Sequence, residues 1–97
     1  MAAPLIARRD DVLAERVLDE TVLLDPAAGT YVRLNGAGTL LWEALERPAT
    51  LDALAARLAE HYELDAARAR DDAARFVDSL AQRDVVRRDG ASEVDEA

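Results

Sequence analysis

Thr30-Tyr31-Val32-Arg33-Leu34-Asn35-Gly36-Ala37-Gly38-Thr39-Leu40-Leu41-Trp42 decides the fold, because the side-chain period changes in the middle of it. Up to Leu34 the residues alternate. Val32 and Leu34 fall on one face and Tyr31 and Arg33 on the other, the pattern of a sheet wet on one side. Beyond Asn35, a residue suited to cap a helix, Ala37, Leu40, Leu41, Ala44 and Leu45 recur every three to four positions and make one apolar stripe. A strand therefore feeds directly into a helix. Upstream, residues 12–17 and 21–25 read as two further strands, short and rich in branched side chains. Between the second and third strands, Asp25-Pro26-Ala27-Ala28-Gly29 reads as a hairpin turn in which Pro26 presets φ and Gly29 supplies a positive φ. Downstream, the first helix runs to about Glu46 and Pro48 ends it. Thr50 caps a second helix with the stripe Leu51, Leu54, Ala55, Leu58 and Tyr62. Asp65 caps a third with Ala69, Ala73, Phe76, Val77 and Leu80. Val85 and Val86 suggest a short extended piece. The expected class is α+β, a three-stranded antiparallel meander followed by three helices.

Composition narrows the function. Ninety-seven residues make one small domain with one modest core. Residues 1–10 show no clear periodicity and read as an N-terminal arm, residues 11–88 as the domain. Residues 89–97, with four acids and no base, read as a disordered acidic tail. Twenty acids against twelve arginines give a net charge of −8, which repels nucleic acid and anionic membranes. No cysteine is present, and one histidine cannot build a multi-histidine metal site. No apolar run approaches a membrane span or a signal segment, so a cytoplasmic protein is expected.

None of the chemical constellations reads as an active site. His61 lies at the end of the second helix, a position that needs no catalytic role to explain it. Glu60 and Glu63 beside it read as solvated groups, and Asp71 and Asp72 point about 100° apart on the third helix. Asn35-Gly36-Ala37-Gly38 lacks the Lys and glycine spacing of a phosphate loop and reads as capping with close packing. Ser79 and Ser92 have no base nearby in sequence. No catalytic residue, metal site or cofactor is expected. Strands followed by three helices also describe a winged helix-turn-helix, which makes a DNA-binding regulator the alternative of another class. The third helix is electrically neutral, with Arg68, Arg70, Arg75 and Arg83 against Asp65, Asp71, Asp72 and Asp78, and this opposes a groove-reading role.

The runs Val22-Leu23-Leu24-Asp25, Gly29-Thr30-Tyr31-Val32-Arg33-Leu34-Asn35 and Gly38-Thr39-Leu40-Leu41-Trp42-Glu43-Ala44-Leu45 carry a further signal. With Thr50-Leu51-Asp52-Ala53-Leu54 and His61-Tyr62-Glu63-Leu64-Asp65, they resemble the PqqD family of RiPP precursor-peptide recognition elements. The resemblance implies a winged helix-turn-helix-like domain that performs no catalysis. It implies binding of the leader segment of a ribosomally synthesised precursor peptide and its presentation to a leader peptidase or other modifying enzyme. Of the pathways that use stand-alone domains of this length, the resemblance favours a lasso-peptide leader peptidase, with a peptide chaperone for a radical-SAM enzyme as the alternative.

In such domains the leader adds as a strand beside the third strand, in the groove between it and the third helix. Carried to this chain, the edge comprises Thr30, Tyr31, Val32, Arg33 and Leu34. The apolar floor draws on Val32, Leu34, Phe76 and Leu80, and the polar rim on Arg33, Asp72, Arg75, Ser79 and Arg83. Trp42 reads as a packing residue of the first helix.

Overall fold

Asn35 makes the switch from strand to helix. Its backbone is extended and its side-chain oxygen accepts the Gly38 N–H at 2.9 Å, satisfying one of the amides that a helix start leaves open. The computed structural model describes residues 4–89. The chain runs β1 (Leu5–Arg8), β2 (Leu13–Val17), β3 (Glu20–Asp25), β4 (Thr30–Leu34), α1 (Gly36–Ala44), α2 (Leu51–Tyr62), α3 (Ala66–Gln82) and β5 (Val86–Asp89). Thr50 and Asp65 cap α2 and α3 by accepting the N–H groups of Ala53 and Arg68. The meander and the three helices stand where the side-chain periods put them. Gly29 adopts φ +70° and donates its N–H to the Asp25 carbonyl at 2.8 Å, closing the β3–β4 turn.

Strands β2, β3 and β4 form an antiparallel sheet in that order, so β3 is central and β4 is an edge. Leu23 pairs with Val32 and Thr21 with Leu34, placing these four on the face turned toward the helices. The Thr21 and Thr39 hydroxyls bond each other at 2.9 Å, tying β3 to α1 through a buried polar pair that needs no water. Behind the sheet, Leu54 of α2 and Ala69, Ala73 and Val77 of α3 are wholly buried. The small side chains at positions 69 and 73 let α2 and α3 approach closely.

The expectation of an arm before residue 11 does not hold for Leu5–Arg8, which form β1. This strand pairs antiparallel with β5, and Ile6 exchanges both backbone hydrogen bonds with Ala49 on its other side, at 2.7 and 3.0 Å. Four residues are too few to display a period. The extended piece expected at Val85 and Val86 begins one residue later and continues to Asp89. Residues 90–97 of the expected acidic tail lie outside the described residues. Trp42 is buried, with the Arg8 guanidinium 4.7 Å from its ring centre, and is a packing residue.

Candidate functional site

The free side of β4 borders an open cleft of about 920 Å³ between the end of β4, the start of α1 and the exposed face of α3. Its geometry follows from two local features. Gly38 lets the first turn of α1 lie close to its neighbours, since a Cβ there would sit 3.2 Å from the Leu34 Cβ and 3.5 Å from the Phe76 ring. The Asn35 cap, used up on Gly38, holds that turn in place.

Of the residues named from sequence, the cleft brings together Arg33, Leu34, Asp72, Arg75 and Phe76. Leu34 is nearly buried and Phe76 half-buried, so Phe76 presents part of its ring as floor. Thr30, Tyr31 and Val32 continue the β4 edge beyond the cleft wall; Tyr31 points away from the helices and is 66% exposed. Ser79 and Arg83 are exposed and follow Arg75 on α3 at spacings of four, outside the cleft wall. Leu80 is only 1% exposed and belongs to the core, so it has no surface to offer as floor. Phe76 and Leu80 share one stripe, and packing alone distinguishes them.

Sequence reasoning missed the opposite wall. Tyr62 of α2 and Leu64 just beyond it complete the apolar lining, with the core residues Leu41 and Leu58 behind them. Their signal was an ordinary helix stripe, and nothing in it separates a cleft wall from a core. Leu64 and Tyr62 reach this wall because α2 ends at Glu63 in a left-handed residue, φ +56°, which reverses the chain there.

The rim is charged but internally paired. Arg75 donates to Asp71 at 2.7 Å and to Asp72 at 3.1 Å, Arg68 lies 3.4 Å from Asp72, and Arg33 donates to Glu20 at 3.1 Å. Arg70 pairs with Asp52 of α2. Arg68, Arg70 and Arg75 are thus partnered by carboxylates of this chain, which breaks up the positive stripe that a DNA-reading helix needs.

A second charged cluster holds β4 from its other end. Arg9 donates to Asp11 at 2.7 and 3.0 Å, to Asp25 at 2.9 and 3.2 Å, and to the Asp84 carbonyl at 3.1 Å. Asp25 in turn accepts the N–H groups of Ala27 and Ala28 inside the β3–β4 turn. The Arg9 guanidinium holds the Asp25 and Asp11 carboxyls below their usual range, and the two carboxylates raise Arg9 above its own. The turn leading into β4 is thereby tied to the loop after β1 and to the start of β5.

His61 lies on the exposed end of α2, its ring edge-on to Tyr62 at 4.7 Å. Among the described residues, no three His, Cys, Asp or Glu side chains are grouped to hold a metal ion, and no helix is long and apolar enough to cross a membrane.

Solved structures share this fold. One, described as TbiB1 in complex with the TbiA(beta) leader peptide, is 26% identical, with a TM-score of 0.77 over 82% of this chain and 93% of that one. Another, a lasso peptide synthetase B1 complexed with the leader peptide, is 25% identical, with a TM-score of 0.72 over 84% and 96%. The PqqD truncation of Methylobacterium extorquens PqqCD, described as a stand-alone RiPP recognition element, is 21% identical and shares the fold, with a TM-score of 0.72 over 87% and 89%. Among curated sequences nothing matches. The model of the family described as coenzyme PQQ synthesis protein D covers residues 20–86, from the start of β3 to the start of β5. That span holds the edge strand, the capped switch at Asn35 and both walls of the cleft, and by it the chain belongs to the PqqD family.

Proposed function

We propose that this chain is a non-catalytic recognition element that binds the leader segment of a ribosomally synthesised precursor peptide and presents the precursor to a processing enzyme. The single observation that carries the reading is an unpaired strand edge, β4, running beside an apolar-floored cleft. An edge strand offers N–H and C=O groups to any extended peptide. Each new backbone bond nets about 0.5–1.5 kcal/mol, whereas ordering each leader residue costs about 1–2. Pairing alone roughly cancels. A micromolar complex needs about −8 kcal/mol, so two or three apolar leader side chains, each contributing about 1.5–3 on burial, must supply the surplus. Phe76, Leu64 and Tyr62 offer them apolar surface, over a base of the core residues Leu34, Leu41 and Leu58.

Within this reading the enzyme is the leader peptidase of a lasso-peptide pathway. The support is that TbiB1 and the lasso synthetase B1, both solved with leader peptides, are matched over nearly their whole length. Thr30, Tyr31 and Val32 extend the edge that the leader follows, and Ser79 and Arg83 border its path along α3. The leader's backbone nitrogens test the mode. Successive N–H groups of an added strand point alternately toward and away from the partner. Single N-methylations along the leader are therefore expected to weaken binding with period two in fluorescence anisotropy. A period of three to four would replace the added strand by a helix in the cleft, and tighter binding of duplex DNA than of any leader would replace the function.

A further inference from the structure

The outward face of the meander is apolar where a solvated sheet face is ordinarily polar. In register across the three strands stand Leu13, Leu24 and Tyr31, 59%, 42% and 66% exposed, with Val22 half-buried in the next row between Glu15 and Arg33. The β2–β3 hairpin then ends on Val17 and Leu18. Leu18 is 89% exposed and sits at φ +59°, a left-handed conformation disfavoured for a branched side chain and suited to glycine. A hairpin tip has no need of leucine there. The backbone is held in place as Arg16 donates its Nε–H to the Leu18 carbonyl at 2.7 Å and pairs with Glu43 of α1.

We propose that this face, Leu13, Leu24, Tyr31 and the Leu18 tip, is the docking surface for the enzyme that processes the bound precursor, an inference that rests on the leader-binding reading above. Three observations select that occupant. The face is continuous with the leader site: Tyr31 belongs to β4, and a leader strand added beyond β4 would extend the row Leu13–Leu24–Tyr31 by its own outward side chains. The area is small, since three strands of five residues cover about 14 by 17 Å, or about 240 Å². A stable complex buries about 800 Å² per partner, so the face alone supports weak contact and gains when the leader widens it. Finally, the edge of the face is acidic, with Glu15, Asp19 and Glu20 against Arg33, on a chain of net charge −8. A second copy would meet like charges. A protein surface with an apolar centre and a basic rim fits.

The enzyme would thus dock best on the leader-loaded form. The test uses Leu18→Gly, which relieves the backbone conformation while deleting the exposed side chain, and Leu13→Ser as a second variant at the other end of β2. Leader affinity, melting temperature and processing of full-length precursor by the purified enzyme are measured on the full chain. Both variants are expected to keep leader affinity within about twofold, Leu18→Gly to melt at or above the parent temperature, and each to lower kcat/KM for processing by about tenfold, the loss expected of one buried Leu side chain. Unchanged processing in both variants overturns the proposal. So does an equal loss of leader affinity, which would make the face part of the leader site. A parent dimer in light scattering that either variant dissociates would assign the face to a second copy instead. Failure of the parent chain to bind any leader would reject the leader-binding reading itself, whatever the variants do.

Discussion

Strands β2 and β4 are the two edges of one sheet, paired to the same central strand, and yet they border unlike clefts. All five residues of β2 are exposed, and the clefts that its Ala14 and Arg16 border beside α1 are smaller, about 440 and 290 Å³, and lined by the charged side chains of Arg8, Glu43 and Glu46. Along β4, Leu34 is buried, Val32 half-buried, and the face of α3 carrying Phe76 lies across the cleft. Backbone groups are available on both edges. Because strand pairing nearly cancels against the ordering of the peptide, the edge with an apolar floor is the one expected to yield net affinity under the proposed function. The comparison teaches that an edge strand supplies direction and register, while the adjoining helix supplies the free energy.

Removing the floor is the strongest way to break this asymmetry. Phe76→Ala should make β4 behave like β2, weakening leader binding by about tenfold, on the order of 1.5 kcal/mol, for a half-buried ring. Anisotropy titration reads the affinity and thermal melting runs alongside it. A lower Tm with unchanged affinity would assign Phe76 to the core alone.

The second test acts on what holds β4 in place. Asp25 and Asp11, held below the usual carboxylate range by Arg9, contribute stability that is present above the unfolded-state carboxylate pKa and lost as pH falls through the lower folded values. The urea midpoint is therefore expected to fall below about pH 4. Arg9→Ala should lower the midpoint at neutral pH and lessen its dependence on acid, because the largest cause of the lowered carboxylates is removed and only the Ala27 and Ala28 N–H groups still favour the charged Asp25. A variant that keeps the parent's acid slope would remove Arg9 as its cause.

The smallest effect is expected at the rim. Arg75 is exposed and already shares its charge with Asp71 and Asp72, so Arg75→Glu should slow association of an acidic leader by only about threefold, more at low salt than at high. Stopped-flow association at two ionic strengths distinguishes this from a change in dissociation, which would mean that Arg75 is desolvated in the complex.

Much of this molecule was legible before any coordinates. Asn35, Thr50 and Asp65 announce three helix starts, because a side chain that accepts an N–H two or three residues ahead acts locally and needs no tertiary context. Gly29 likewise marks the β3–β4 turn by its own backbone requirement. The resemblance of residues around Asn35 to the PqqD family was legible as well, and the family match over residues 20–86 bears it out. Strand β1 was not legible. Its four residues show no period, and what makes them a strand is β5 on one side and Ala49 on the other, partners more than forty residues away in sequence.

By itself, then, the sequence determined the local events: which residues start helices, where the period changes, how the hairpin turns, and how many charges the chain carries. Each depends on interactions within a few residues, whose energies do not wait for the rest of the fold. Only the tertiary structure decided which apolar side chains face the cleft and which vanish into the core. Phe76 and Leu80 stand one turn apart on a single stripe, yet Phe76 lines the cleft and Leu80 is sealed. Tyr62 and Leu64 came to line the cleft through the placement of α2. Burial is a property of what packs opposite a residue, and the partners opposite these came from distant parts of the chain.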